Sequence, residues 1–190
     1  APLAEKLAPH FTVICYDRRG RGDSGDTPPY AVEREIEDLA ALIDAAGGSA
    51  YVFGMSSGGG LSLLAAANGH PITRLAVFES PYAVDASRPP VPSDYRTRLD
   101  TLLAEGRRGD AVELFLTEAV GVPPDLVAQM RQAPMWSGME AVAHTLPYDH
   151  AVMGDSAIPT ARFASITIPT LVMDGGASPA WIRDAAQELA

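Results

Sequence analysis

Tyr51-Val52-Phe53-Gly54-Met55-Ser56-Ser57-Gly58 reads as an apolar strand, a sharp bend and the opening of a helix within eight residues. The pattern is G-x-S-x-G, with a serine standing where a strand turns into a helix. A residue at such a bend takes a strained backbone conformation that presents its hydroxyl at the carboxyl end of the strand. Side chains two positions before and two positions after would meet neighbouring backbone, so glycine is expected at both. Ser56 has Gly54 and Gly58 in those places, whereas Ser57 has Met55 where its own small residue would stand. The bend therefore selects Ser56 as the candidate nucleophile. The first N–H groups of the following helix point back at the bend, which makes the Ser57 N–H a candidate oxyanion donor.

Four short apolar runs read as strands: Thr12–Tyr16, Ala50–Phe53, Leu75–Phe78 and Thr170–Met173. Continuous apolar runs suit parallel strands covered on both faces. Between the first two, Val32–Ala46 carries Ile36, Leu39, Ala40, Leu42 and Ile43 on one stripe, and Gly47-Gly48 ends that helix. Between the second and third, Gly58–Ala67 is a helix of small residues stopped by Asn68-Gly69. Strand, helix, strand, helix, strand is the grammar of an α/β fold with a parallel sheet. The rhythm then changes. From Pro81 to Arg162 the sequence predicts helices only, over Tyr95–Glu105, Asp110–Val120, Pro124–Gln132 and Met139–Leu146, reached through a proline-rich linker, Ser87–Ser93. The expected organisation is an α/β core over 1–80, an inserted helical cap over 81–162, and the core resumed over 163–190.

Composition narrows the function classes. The chain has 190 residues, 47% hydrophobic and 20% charged, the profile of a globular domain. A formal charge of −10 argues against a nucleic-acid partner, because a phosphate backbone needs a basic face. Arg18, Arg19 and Arg21 lie beside Asp17, Asp23 and Asp26, and a local ion-pair network is the expectation. No stretch approaches the roughly 18 apolar residues of a membrane span, and residues 1 to 10 hold no apolar signal core. The single Cys15 cannot pair within the chain, which fits a reducing, cytoplasmic compartment, and its place in an apolar run predicts burial. Gly20-Arg21-Gly22-Asp23-Ser24-Gly25 spells a dinucleotide fingerprint, but Asp23 would crowd a pyrophosphate and Pro28-Pro29 delays the helix. Neither a nucleotide nor a metal cofactor is expected.

Together the bend at Ser56 and the segment Asp17-Arg18-Arg19-Gly20-Arg21-Gly22-Asp23-Ser24 resemble the α/β-hydrolase family, whose D-x-R-G-x-G-x-S stretch precedes the nucleophile strand. The resemblance spans nearly the whole chain. It implies a three-layer hydrolase core with a helical cap, and a serine that cleaves an ester, lactone, thioester or carbon–carbon bond of a small organic substrate without a cofactor. It further implies a histidine oriented by a carboxylate. Two residues follow strands in the right order for that carboxylate, Glu79 and Asp174, and both remain candidates. Family members often place the acid a few residues beyond the last strand, where this chain has Gly176, Ala177 and Ser178. His10 and His70 fall at the wrong end of the sheet, and His144 and His150 belong to the helical insertion. The resemblance thus places the catalytic histidine beyond Ala190 and the second oxyanion loop before Ala1, so the chain is expected to be a fragment, nearly inactive alone. The rival expectation is a ligand-binding protein on a degenerate hydrolase fold. Met130, Met135, Trp136, Met139, Tyr148 and Met153 could line an apolar pocket for a small-molecule partner, or form the core of the insertion itself.

Overall fold

A computed structural model describes residues 2–84, 88 and 90–190, so Ser87 and Pro89 of the expected linker lie outside the described residues. Helix α1 spans Pro2–Leu7 and α2 spans Val32–Ala45. Ile36, Leu39 and Ile43 form the buried stripe of α2, and Gly47 and Gly48, both at positive φ, end it. Three parallel strands follow in sheet order, β1 (Ala50–Met55), β2 (Ile72–Phe78) and β3 (Thr170–Met173). Helix α3 (Ser57–Ala67) joins β1 to β2 and is buried along most of its length, as its small residues allow. It packs on both strands and against α2.

Between β2 and β3 come α4 (Tyr95–Ala104), α5 (Arg108–Leu114), a π-helical turn over Phe115–Val120, α6 (Pro124–Met130), α7 (Trp136–Ala141), α8 (Leu146–Met153) and α9 (Thr160–Phe163); α10 (Ala180–Leu189) follows β3. Two hydrophobic clusters result. The first joins the sheet to α2, α3 and α10, and the second is built from Tyr95, Leu99, Val112, Val127 and Trp136. Helix α8 belongs to both. Leu146 at its start lies in the second cluster, while Val152 and Met153 at its end lie in the first. Gly60 of α3 makes room for that end, since a Cβ there would sit 2.8 Å from the Met153 sulfur.

Several expectations need correction. Thr12–Tyr16 is not a strand: it pairs with no other segment among the described residues, and Ile14 and Tyr16 are exposed. Cys15 is therefore exposed rather than buried. The sheet is not covered on both faces either, for Tyr51, Phe53 and Met55 share one exposed face of β1. Apolar patterning is a local property, whereas a strand needs a partner's backbone and a covering layer, and neither can be read from the run itself. Strand β2 starts at Ile72, three residues before its predicted start. The predicted helix Met139–Leu146 is broken by a 3₁₀ turn at Ala143–Thr145, and α8 begins at Leu146 with Pro147 in its first turn, where proline costs no hydrogen bond. No helix of the described residues is long and apolar enough to cross a membrane.

Candidate active site

The bend after β1 is strained. Ser56 has φ 54° and ψ −129°, a region that L side chains avoid, at a cost on the order of 1–3 kcal/mol. Two backbone bonds hold it there: its N–H donates to the Phe78 carbonyl at 2.9 Å, and its own carbonyl accepts the Gly59 N–H at 2.9 Å. The residue is exposed. Gly54 is needed as expected, because a Cβ would run into the Gly58 carbonyl oxygen and lie 2.6 Å from the Ser62 hydroxyl. Gly58 is a correction. A Cβ there would meet nothing within 4 Å, so the crowding falls on one side of the bend, where the strand passes under the first helical turn. As first residue of α3, Ser57 has an N–H with no intrahelical acceptor.

Sheet register lines up the other candidates. Met55, Phe78 and Met173 form one row across β1, β2 and β3, so Ser56, Glu79 and Asp174 each stand one residue beyond it. Glu79 is one strand from Ser56 and Asp174 is two, about 4.8 and 9.6 Å between backbones at ordinary strand spacing. Glu79 shares the backbone strain, with φ 50°, and its N–H donates to the Met173 carbonyl at 2.9 Å. Its carboxylate accepts the Ser178 hydroxyl, whose oxygen accepts the Gly175 N–H at 2.9 Å. Ser178 thus fills the place beyond β3 where a carboxylate was sought, and ties it to Glu79. Asp174 is exposed and makes no side-chain hydrogen bond among the described residues.

Ser57 points elsewhere. Its hydroxyl donates to Asp149 Oδ1 at 2.7 Å and accepts from Arg18 Nη1 at 3.1 Å. Arg18 also donates to Asp149 Oδ1 at 2.9 Å and forks onto Glu35 at 2.5 and 2.6 Å. Arg21 completes the group by donating to Asp149 Oδ2 at 2.7 Å. Burial disfavours the Arg18 cation, but the Glu35 hydrogen bond and the Asp149 charge outweigh it and raise its pKa. Around this core Tyr30 donates to Glu35, its phenol pushed up by burial and that bond, and stacks on Tyr148 at 3.9 Å. Tyr148 donates to Asp26, and its phenol is pushed up to about 12 by burial and that hydrogen bond.

The expected local ion pairs of the arginine segment are thereby corrected. Arg18 and Arg19 pair with Glu35 and Asp38 of α2, and Arg18 and Arg21 with Asp149 of α8. Asp17 instead accepts the Asp23 N–H. Asp149 carries no local signal in the sequence, because it meets Arg18 across 131 residues of chain. The carboxylates of α2 at Glu35 and Asp38 were legible as charges on a helix, though not as partners.

Among the described residues no hydrogen bond joins a histidine to Ser56 or Glu79. His144 lies 4.0 Å from Asp26, and His150 packs on Tyr95. Trp136, Met130 and Met139 belong to the second hydrophobic cluster, Met135 is exposed and Tyr148 is stacked on Tyr30. Of the six candidate pocket residues, Met153 alone lines a cavity of about 290 Å³ beside Ile36, Leu64 and Tyr82, and Ser56 is not in its wall.

The model of the alpha/beta hydrolase family matches residues 1–190. The chain is 29% identical over 195 residues to the lipase LipV of Mycobacterium tuberculosis, a match covering 96% of this chain and 70% of the lipase. A crystal structure of an alpha/beta hydrolase from Sphaerobacter thermophilus superimposes with a TM-score of 0.97 at 88% identity, over 100% of this chain and 74% of that one. A thermophilic esterase from Thermogutta terrifontis shares the fold, with a TM-score of 0.63 at 21% identity over 98% of this chain and 70% of the esterase.

Proposed function

The chain belongs to the alpha/beta hydrolase family, and on that premise we propose that it is a serine hydrolase in which Ser56 attacks the carbonyl of an ester-like or carbon–carbon-cleavable small substrate. One observation carries the reading. Ser56 is held in a strained, exposed bend at the end of β1, level with a second strained residue, Glu79, on the adjoining strand.

In the proposed reaction the Ser56 hydroxyl adds to the acyl carbon and its proton passes to a histidine oriented by Glu79. An imidazole with a hydrogen bond at each nitrogen spans roughly 8 Å, and side chains reaching from neighbouring strand ends can embrace it. The oxygen that becomes negative accepts the Ser57 N–H, a donor of a kind worth roughly 2.7–4 kcal/mol in the transition state. Collapse returns the proton to the leaving group, and water then hydrolyses the acyl-serine. Glu79 is preferred over Asp174 because its strand adjoins that of Ser56 and Ser178 holds its carboxylate, whereas Asp174 is exposed and two strands away. The segment from α4 to α8 serves as the cap over this edge, and the natural substrate is a small organic molecule.

Burst kinetics test the proposal. The whole protein, with its catalytic histidine, is expected to release a stoichiometric burst of 4-nitrophenol from 4-nitrophenyl butyrate, and Ser56→Ala to release none. Equal release by both proteins would reject Ser56. Binding of the ester with no release by either would favour a degenerate, ligand-holding relative.

A further inference from the structure

We propose that Asp149 is a positioning residue for the nucleophile bend, one that sets the oxyanion donor and the overlying helical segment as a single unit. This rests on the reading of Ser56 as nucleophile and goes beyond it, for Asp149 is carried by α8 and meets the bend at Ser57.

Both oxygens of Asp149 are committed. Oδ1 accepts from Ser57 and from Arg18, Oδ2 accepts from Arg21, and Arg18 closes the triangle by donating to the Ser57 hydroxyl. Arg18 is in turn clamped by Glu35, which is 2% exposed. The carboxylate is therefore gripped from the arginine segment, which α2 braces through Glu35, and from the start of α3. Its grip falls on the residue whose N–H is the oxyanion donor, and the peptide joining Ser56 to Ser57 carries that N–H. Rotation of this peptide would turn the donor away, and the tether on the Ser57 side chain resists it. Charge is arranged to suit. Two guanidinium groups face two carboxylates, so Asp149 stands beside the bend without opposing the negative charge that develops there.

A double-mutant cycle on the whole protein tests this with 4-nitrophenyl acetate, an ester too short to depend on the cap. Asp149→Ala and Ser57→Ala are each expected to lower kcat about tenfold with KM within about twofold, a loss confined to the transition state. The double variant should lose no more than either single one, because both break the same tether. Asp149→Asn, which still accepts from Ser57, should recover most of kcat. Multiplying losses, an unchanged kcat in Ser57→Ala, or a change confined to KM would overturn the proposal. Ser57→Ala keeps the test alive if Asp149→Ala does not fold. A wild-type protein that fails to form an acyl-enzyme on Ser56 would instead overturn the reading of the bend. A wild-type protein that forms one as fast as Asp149→Ala does would overturn this inference alone.

Discussion

Ser56 and Ser57 are chain neighbours that occupy opposite kinds of environment. Ser56 ends an edge built from backbone strain: a positive φ, an enforced glycine at Gly54, and a second strained residue at Glu79. Ser57 enters a junction built from charge, where Arg18, Arg21, Glu35 and Asp149 satisfy one another across three segments of chain. Among the described residues the Ser56 hydroxyl at the edge has no hydrogen-bond partner. The junction leaves its hydroxyl nothing further to do. On the proposed reading, strain presents the nucleophile and ion pairs hold the bend in place.

The largest effect should come from the edge. Glu79→Gln is expected to lower kcat roughly a thousand- to ten-thousand-fold, the scale on which a triad acid acts, with Asp174→Asn within about twofold of wild type. Steady-state ester hydrolysis decides between them, and the reverse order would move the acid to β3. Next comes the junction. Glu35→Ala leaves the half-buried Arg18 cation with Asp149 but without its forked partner, at a cost of about 2–3 kcal/mol read by urea unfolding. A loss below about 1 kcal/mol would mean that water serves Arg18 equally well.

How much of this was legible in the sequence follows the same division. The bend was readable because glycine spacing and a strand-to-helix change are local, and Ser56, Glu79 and Asp174 all stand at the sheet edge where their strands end. The junction was not, because Arg18 and Asp149 meet only through folding. Thr12–Tyr16 shows the limit from the other side: its apolar pattern is strand-like, but pairing depends on a neighbour that the pattern does not specify. The two glycines of the bend were read as equivalent, and the structure separates them. Gly54→Ala should destabilise the protein by about 2–3 kcal/mol, since backbone must move, whereas Gly58→Ala should stay within about 0.5 kcal/mol. Paired melting curves give the contrast, and equal shifts would restore the symmetric reading.

The smallest effect concerns acid. Burial, then the Arg96 charge, holds His150 below its ordinary value of 6.5. The unfolded chain therefore gains a proton that the native state refuses. Stability from this source is complete above about pH 6.5 and falls as pH drops below it. His150→Phe, which keeps a ring against Tyr95, should flatten that slope between pH 7 and 5 only slightly, because His150 is half-buried and solvent screens its charge. An unchanged slope would place the acid sensitivity elsewhere.

Treating the whole protein with a fluorophosphonate and mapping the modified residue by peptide mass spectrometry reads the nucleophile's identity from a covalent mark. A single adduct on Ser56 is expected, abolished in Ser56→Ala and still formed in Ser57→Ala. An adduct on Ser57, or labelling that survives Ser56→Ala, would contradict Ser56 as the nucleophile.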